Sequence, residues 1–132
     1  MNKFFISLLL LVLVGSFSSC KEKKELEKID ADIFLTKLKS SPSSIVPEES
    51  MPEWLVVRIN EIEQRPVSVT TVHIYKGEWN KQIVYFIMDT FSSCLCDFFT
   101  ENGEEIRDNL SDFYSTSKNW MLIYEYGESL EN

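Results

Sequence analysis

The stretch Gln82-Ile83-Val84-Tyr85-Phe86-Ile87-Met88-Asp89 decides the fold of this 132-residue chain. Successive side chains of an extended strand point to opposite faces, so the odd-numbered residues of this stretch share one face and the even-numbered residues share the other. Both sets are apolar from Ile83 to Met88. A strand that is apolar on both faces needs packing on both, and we therefore expect residues 82–89 to be a central strand of a sheet.

The segments around this strand predict an antiparallel meander. Val67 to Tyr75 is rich in residues that favour strands, and residues 77–80 predict the turn before Gln82. Two further strands are predicted at Cys94 to Thr100 and at Trp120 to Tyr126. The resulting sheet has four or five strands.

The fifth strand depends on the segment that follows the third. Asn102-Gly103 predicts a hairpin turn, because both residues tolerate positive φ. Residues 104–107 then return with Ile106 as their clearly apolar member, and their charges would discourage aggregation at a sheet edge. Residues 108–119 are predicted to be a polar loop.

A helix is predicted to begin near Pro52, with Ser50 as its cap, and to end before Pro66. Its apolar stripe is formed by Leu55, Ile59 and Ile62. The fold class is therefore α+β, with a helix packed on a four- to five-stranded antiparallel meander. One helix covers one face of the sheet. Either a second helix at residues 22–39 covers the other face, or that face binds a partner.

The first nineteen residues predict a secretory signal. Lys3 precedes a short apolar run from Phe4 to Val14, and small residues follow it. Phe17-Ser18-Ser19-Cys20 resembles a lipobox, the site where signal peptidase II cuts before a cysteine that carries diacylglycerol. We therefore expect residues 1–19 to be a lipoprotein signal peptide and Cys20 to be the lipidated residue. Acylation of this kind supplies a stable membrane anchor.

Residues 20–51 are predicted to connect the lipid to a single domain over residues 52–132. Residues 22–39 are rich in Glu, Lys and Leu, and they predict either an amphipathic helix or a flexible spacer. The predicted stripe of the helix contains Leu26, Ile29, Ile33 and Leu38. The Ser- and Pro-rich segment that follows is typical of a linker.

Composition and the anchor together predict a place in the cell envelope, at the outer membrane. The Lys-Glu-rich run after Cys20 also resembles the surface-export signals of Bacteroidota lipoproteins, which implies exposure on the cell surface. Asp and Glu number 21 against 13 Lys and Arg, a net charge of −8. This surplus of acid argues against binding of nucleic acid, because phosphates require a basic surface.

Short motifs along the middle of the chain resemble those of a family of small Bacteroidota lipoproteins of unknown function, over about residues 52–106. The shared features are a Pro-led helix with an Ile-rich stripe, a strand–Gly turn–strand unit, a Cys-Asp step and an Asn-Gly turn. They are carried here by Pro52-Glu53-Trp54-Leu55, Ile59-Asn60-Glu61-Ile62-Glu63, Tyr75-Lys76-Gly77, Val84-Tyr85, Cys96-Asp97 and Asn102-Gly103. The resemblance implies a lipid-anchored envelope protein and no particular activity.

Cys94 and Cys96 are a candidate disulfide pair. Residues two apart in a strand are separated by about 6.5–7 Å, at the limit of disulfide geometry. A strained structural bridge, a redox pair and two free thiols are all compatible with this spacing. Redox catalysis of the thioredoxin type needs Cys-x-x-Cys at a helix start, and the sequence has neither.

The remaining candidates concern ligands. His73 is the single histidine and has no nucleophile motif beside it. Asp108-Asn109-Leu110-Ser111-Asp112 spaces oxygen ligands but lacks EF-hand spacing. We therefore predict no metal and no cofactor. Aromatic residues that stack on sugars would be candidates for glycan binding, and here they are Trp79, Trp120, Tyr124 and Tyr126.

These observations predict a non-enzymatic interaction or binding module that is held to the membrane by the lipid on Cys20. Its partner would be an envelope protein or a glycan. Two alternatives remain: a cystatin-like inhibitor of an envelope or extracellular enzyme, which rests on analogy of fold, and a glycan-binding accessory protein. An inhibitor would present a protruding loop, for which residues 77–81 and 108–119 are the candidates.

Overall fold

The computed structural model describes residues 28–67, 71–89 and 97–127. The four strands form one antiparallel sheet in the order β3-β2-β1-β4, which confirms the predicted α+β class. In chain order the elements are helix α1 over residues 28–39, a 3-10 helix Glu48–Ser50, α2 Glu53–Glu63, β1 Val72–Trp79, β2 Gln82–Asp89, β3 Phe98–Thr100, α3 Leu110–Thr116 and β4 Lys118–Tyr126.

Strand β2 is an interior strand, as its two apolar faces predict. It pairs with β1 on one side and with β3 on the other. Strands β1, β2 and β3 follow one another as a meander, whereas β4 returns to the free side of β1. Helix α3 lies in the connection between β3 and β4.

One face of the sheet is covered by α1 and α3. Phe34 of α1 is 1% exposed and lies at the centre of this layer. Its ring contacts five other aromatic rings at centroid distances of 5.3–5.9 Å, and these belong to Phe86, Phe98, Phe113, Tyr114 and Trp120. Lys37 of α1 also donates a hydrogen bond to the carbonyl of Ser117. Helix α1 is therefore an integral layer of the fold.

The opposite face is covered by α2. Leu55, Ile59 and Ile62, the stripe predicted from the sequence, are all fully buried. They pack in one cluster with Val72, Ile74, Tyr85, Ile87 and Ile123 from the sheet. The sheet thus has helices on both faces, and the open sheet face that we considered as a docking surface is absent from the described part of the chain.

Residues on both edges of the sheet also bond to neighbouring segments. At the β4 edge, Ser44 N–H donates to the Leu122 carbonyl over 2.9 Å, and Val46 N–H donates to the Ile123 carbonyl over 3.2 Å. At the β3 edge, Ile106 N–H donates to the Phe98 carbonyl over 2.8 Å. These bonds satisfy backbone groups that an edge strand would otherwise offer to another chain.

The helix α1 is present, but its predicted stripe is correct only at Leu38, and Leu26 lies outside the described residues. Ile29 and Ile33 are 54% and 62% exposed, whereas Ala31, Phe34 and Leu38 form the buried face. Both sets have helical spacing, and the set that contains the Phe34 ring faces the sheet. Residues of α1 from Ala31 onward therefore pack against the sheet, ahead of the domain predicted to start at Pro52.

Two local predictions also differ from the structure. Residues 108–119 are not a loop, because α3 and the start of β4 lie within them. Phe113 and Tyr114 are buried there, and the surrounding Ser, Asp and Asn residues obscured this short apolar face in the sequence. The turn predicted at residues 77–80 lies instead at Asn80-Lys81, where both residues have positive φ.

Gly77 serves close packing rather than a turn. It lies inside β1, and a Cβ at this position would approach the Trp120 indole to 2.5 Å. Gly103, by contrast, has φ +83° and occupies the hairpin turn that was predicted at Asn102-Gly103. Thr100 N–H donates to the Glu104 carbonyl over 2.8 Å and closes that turn.

An ion pair joins the end of α2 to the sheet. Arg65 Nη1 lies 2.6 Å from Asp89 Oδ2, and the Asp89 side chain is 9% exposed. Nearby, the Tyr126 hydroxyl donates to the Arg65 carbonyl over 2.7 Å. These contacts fix the loop after α2 against the end of the sheet that is farthest from the β1–β2 turn.

The buried residues of both core clusters lie between Ala31 and Ile123, and Tyr124 and Tyr126 pack against the second cluster. A chain that begins at Lys21 therefore retains both packed layers and both edge segments. In residues 28–67, 71–89 and 97–127, no helix has the length and apolar character that a membrane span requires.

Candidate functional site

A cavity of about 470 Å³ opens on the α2 face of the sheet, at the end near the β1–β2 turn. Its floor is formed by the three strands that meet there, and its side wall is formed by Val46, Ser50 and Met51 from the segment before α2. Among the described residues that line it, none belongs to α2. The cavity is the space that α2 leaves uncovered on this face.

The edge segment explains why the cavity has a wall. Residues 44–46 bond to β4, so the chain runs along the side of the sheet before it turns into the 3-10 helix Glu48–Ser50 and α2. Val46 and Met51 pack against the second core cluster from this position. The wall is therefore part of the folded core and is held by backbone hydrogen bonds.

The floor of the cavity is mainly apolar. Ile83 and Tyr85 come from β2, and Met121 and Ile123 come from β4. A concave site of a few hundred Å³ with apolar walls and a small number of polar groups is the usual form of a small-molecule site. The two methionines, Met51 and Met121, add flexible side chains that adapt to the shape of a ligand.

Lys76 brings a positive charge onto this apolar floor. It lies on the interior strand β1, is half-buried, and is directly opposite Tyr85 on one side and Met121 on the other. No acidic side chain of the described ranges lies within ion-pair distance of its ammonium group. A half-buried lysine without an acidic partner, at the edge of an apolar cavity, is a candidate for pairing with an anionic ligand.

The acidic group of the cavity is already paired. Glu78 lies two residues along β1 from Lys76 and therefore on the same face. Its carboxylate lies 3.9 Å from Lys118 Nζ and accepts a hydrogen bond of 3.3 Å from Asn119. Lys81, in the β1–β2 turn, adds a second cation at the rim.

Tyr85 contributes a neutral polar group to the same site. Burial, and secondarily the negative charge of Glu101, raises the pKa of its phenol above the ordinary value of 10.0. The phenol therefore stays protonated at physiological pH. Its ring also packs edge-on against Trp54 of α2, at a centroid distance of 5.7 Å, which holds this part of the floor in place.

The four aromatic residues predicted for glycan binding do not meet at one surface. Trp120 is 4% exposed and belongs to the first core cluster, where its indole N–H donates to Ser117 Oγ. Trp79 is half-buried and packs edge-on against Phe113. Tyr124 and Tyr126 pack against the α2 cluster on the other face. Two of the four thus lie on each side of the sheet.

The hydroxyls of the two tyrosines are held by the end of α2. Tyr124 donates to Glu63 Oε1 over 3.0 Å, and Tyr126 donates to the Glu63 carbonyl over 3.2 Å. Burial, followed by the hydrogen bond to Glu63 and that residue's charge, strongly raises the pKa of Tyr124. These contacts fix α2 on the sheet, so both side chains have structural partners.

The remaining candidate residues are the three cysteines, His73 and the possible metal ligands. Cys20, Cys94 and Cys96 lie outside the described residues. His73 Nε2 lies 3.0 Å from a carboxylate oxygen of Glu125 on the neighbouring strand, an arrangement typical of cross-strand pairing. Within the described ranges, no three His, Cys, Asp or Glu side chains are grouped as a metal site would require.

Comparison of the chain with protein-family models, with curated proteins and with solved structures finds no match.

The cavity residues themselves were missed by sequence reasoning, although one signal was present. Along β1 the α2-facing positions change from Val72 and Ile74 to Lys76 and Glu78. Such a change from apolar to charged residues on one strand face indicates where the covering layer ends.

Proposed function

We propose that this protein is a lipid-anchored component of the cell envelope whose folded domain is a non-enzymatic binding module, with the cavity as its binding site. The observation that carries the proposal is the 470 Å³ cavity with an apolar floor, a fixed side wall and a charged rim. Such a site holds a ligand by burial of apolar surface and orients it through a few polar groups.

The proposed anchor is the lipid on Cys20, and it supports a place at the outer membrane. Cys20 lies eleven residues before Ala31, the first residue that packs into the described core. The proposal is tested by expressing wild type and Cys20→Ser in growing cells with an alkyne-labelled fatty acid. We expect label and membrane association in the wild type, and loss of both in Cys20→Ser. Equal labelling of the two would refute lipidation at this residue.

Occupancy of the cavity is tested with a neutral apolar dye, Nile red, and a chain that begins at Lys21. A cooperative thermal transition first establishes that this chain is folded. We expect its dye fluorescence to increase and shift to the blue on binding, and Ile83→Trp to weaken binding by at least about tenfold because the larger side chain fills the cavity. Ile33→Trp adds the same ring at a position that is 62% exposed on α1 and serves as the control. Equal dye binding by the two variants would place the dye elsewhere.

The described residues give the two alternative functions little support. The turn between β1 and β2 has two residues, and residues 110–116 form a helix with a buried face, so neither region has the form of an inhibitory loop. The four aromatic residues are divided between the two sides of the sheet and do not build a stacking platform for a glycan.

A further inference from the structure

We propose that the ligand of the cavity is an amphipathic anion, with a single apolar chain on the floor and a carboxylate or phosphate head paired with Lys76. This inference rests on the proposed function of the cavity as a binding site and adds the chemical class of the ligand. Both head groups share the chemistry that an ammonium group recognises, namely a compact negative charge with several acceptor oxygens.

The position of Lys76 carries the first step of the argument. Its cross-strand neighbours are Tyr85 and Met121, so its aliphatic stem lies between two apolar side chains. Removing part of the hydration of an ammonium group is unfavourable unless an opposite charge or a hydrogen-bond acceptor replaces the water. An anion that enters the cavity would supply both while its chain covers the apolar floor.

The distribution of charge around the cavity carries the second step. The protein as a whole has a net charge of −8, which repels anions from most of its surface. At the cavity, the carboxylate of Glu78 is already engaged by Lys118 and Asn119. Lys76 and Lys81 then leave a local positive charge next to an apolar floor. This combination favours an anion over a neutral or cationic molecule of the same shape.

Lys76 contributes more to this selectivity than Lys81. Lys81 is exposed in the turn and also lines a neighbouring polar cleft that contains Glu101 and Glu104. The negative charge of that cleft reduces the attraction that Lys81 offers to an anion in the cavity. Lys76 is half-buried on an interior strand, whereas Lys81 is exposed, so we expect the pairing of Lys76 with an anion to be the stronger of the two.

The inference is tested by calorimetric titration of the chain that begins at Lys21 with decanoate, decyl phosphate, decanol and decylammonium. These probes share one apolar chain and differ in the head. We expect both anions to bind at least about tenfold more tightly than decanol, as expected for a charge-assisted hydrogen bond, and decylammonium to bind most weakly. A preference between the two anions distinguishes a free fatty acid from a phosphate-bearing lipid as the source of the ligand.

Three variants locate the effect at one side chain. Lys76→Met retains the apolar stem and should reduce anion affinity at least about tenfold while leaving decanol affinity unchanged. Lys76→Arg retains the charge and should preserve the anion preference. Lys39→Met removes one positive charge from an exposed position on α1, outside the cavity, and should leave all affinities within about twofold of wild type.

The outcomes separate the inference from the proposed function. If decanol and the anions bind equally and Lys76→Met changes neither, the cavity is a binding site but the anionic class is wrong. If no probe binds to folded protein and Nile red binding is also independent of Ile83→Trp, both the inference and the proposed site are overturned. If Nile red enters the cavity but no anion binds, the inference alone fails. Anion binding that is equally lost in Lys39→Met would indicate a nonspecific charge effect and would also overturn the inference.

Discussion

Replacement of Phe34 by alanine tests whether α1 is a layer of the domain or part of a tether. The side chain is 1% exposed, and its ring contacts five aromatic rings at centroid distances of 5.3–5.9 Å. Those rings come from β2, β3, α3 and β4, so a cavity left by the phenyl group would be bordered by four separately anchored elements. Such a site cannot collapse easily to fill the space.

The expected loss of stability follows from this geometry. Truncation of a buried phenylalanine to alanine costs about 3–5 kcal/mol, and poor relaxation places the cost in the upper part of that range. Edge-to-face ring contacts add about 0.5–1.5 kcal/mol per pair beyond simple burial, although the five contacts overlap and are not additive. We therefore expect Phe34→Ala to lower the free energy of unfolding by about 4 kcal/mol. Domains of this size unfold at a total of about 5–15 kcal/mol, so the variant should be close to the limit of folding.

Urea unfolding of the chain that begins at Lys21, followed by far-ultraviolet circular dichroism, measures this loss. A change of that size lowers the midpoint by more than about 1 M urea at the usual slopes for small proteins. Ile33→Ala is the matched control, because Ile33 is next to Phe34 on α1 and its side chain is 62% exposed. We expect it to change the free energy of unfolding by less than about 0.5 kcal/mol. If the two variants unfold at the same midpoint, α1 does not pack on the sheet and the first core cluster is wrong.

Three further variants test other parts of the fold. Arg65→Met leaves the nearly buried carboxylate of its aspartate partner without this arginine and should cost about 1–3 kcal/mol in urea unfolding, whereas Arg58→Met breaks an exposed pair and should cost less than about 1 kcal/mol. Gly77→Ala places a Cβ 2.5 Å from the rigid indole of Trp120 and should cost about 1–3 kcal/mol, and an unchanged melting temperature would contradict that packing. Burial and a glutamate carboxylate raise the pKa of Tyr124 above 10.0, so the folded state retains a proton that the unfolded chain loses. Stability should be unaffected by this group below pH 10 and should fall above it, and Tyr124→Phe should lessen the fall in unfolding experiments over that range.

The elements that were predicted correctly are those whose local pattern has one interpretation. Strand β2 is apolar at six successive positions, and the period of α2 is closed by proline at both ends. The pattern of β2 fits an interior strand with two buried faces, and the pattern of α2 fits a helix with one buried face. The match between these predictions and the structure reflects strong local patterns, a continuous apolar run in β2 and a helical period in α2, which do not depend on what packs against the element.

The pattern of α1 fits two faces, and the choice between them is tertiary. Ile29 and Ile33 are four residues apart, as are Phe34 and Leu38, so helical spacing alone does not decide which pair is buried. The structure selects Phe34 because the sheet offers a cluster of aromatic rings that a phenyl group fills. The aromatic rings that surround Phe34 come from four elements that are distant in the sequence. No local sequence pattern describes such a cluster.

The cavity depends on the same kind of long-range information, but the sequence marks one of its limits. On β1, Val72 and Ile74 are buried beneath α2, and Lys76 and Glu78 on the same face are only half-buried. A helix could not cover those two residues without removing water from their charged groups, which is unfavourable. The charged half of β1 therefore helps to determine where α2 stops covering the sheet. Lys76 and Glu78 thus end the apolar core on this face and also supply polar groups to the cavity. The same two side chains therefore affect both the stability of this face and its capacity to bind a ligand.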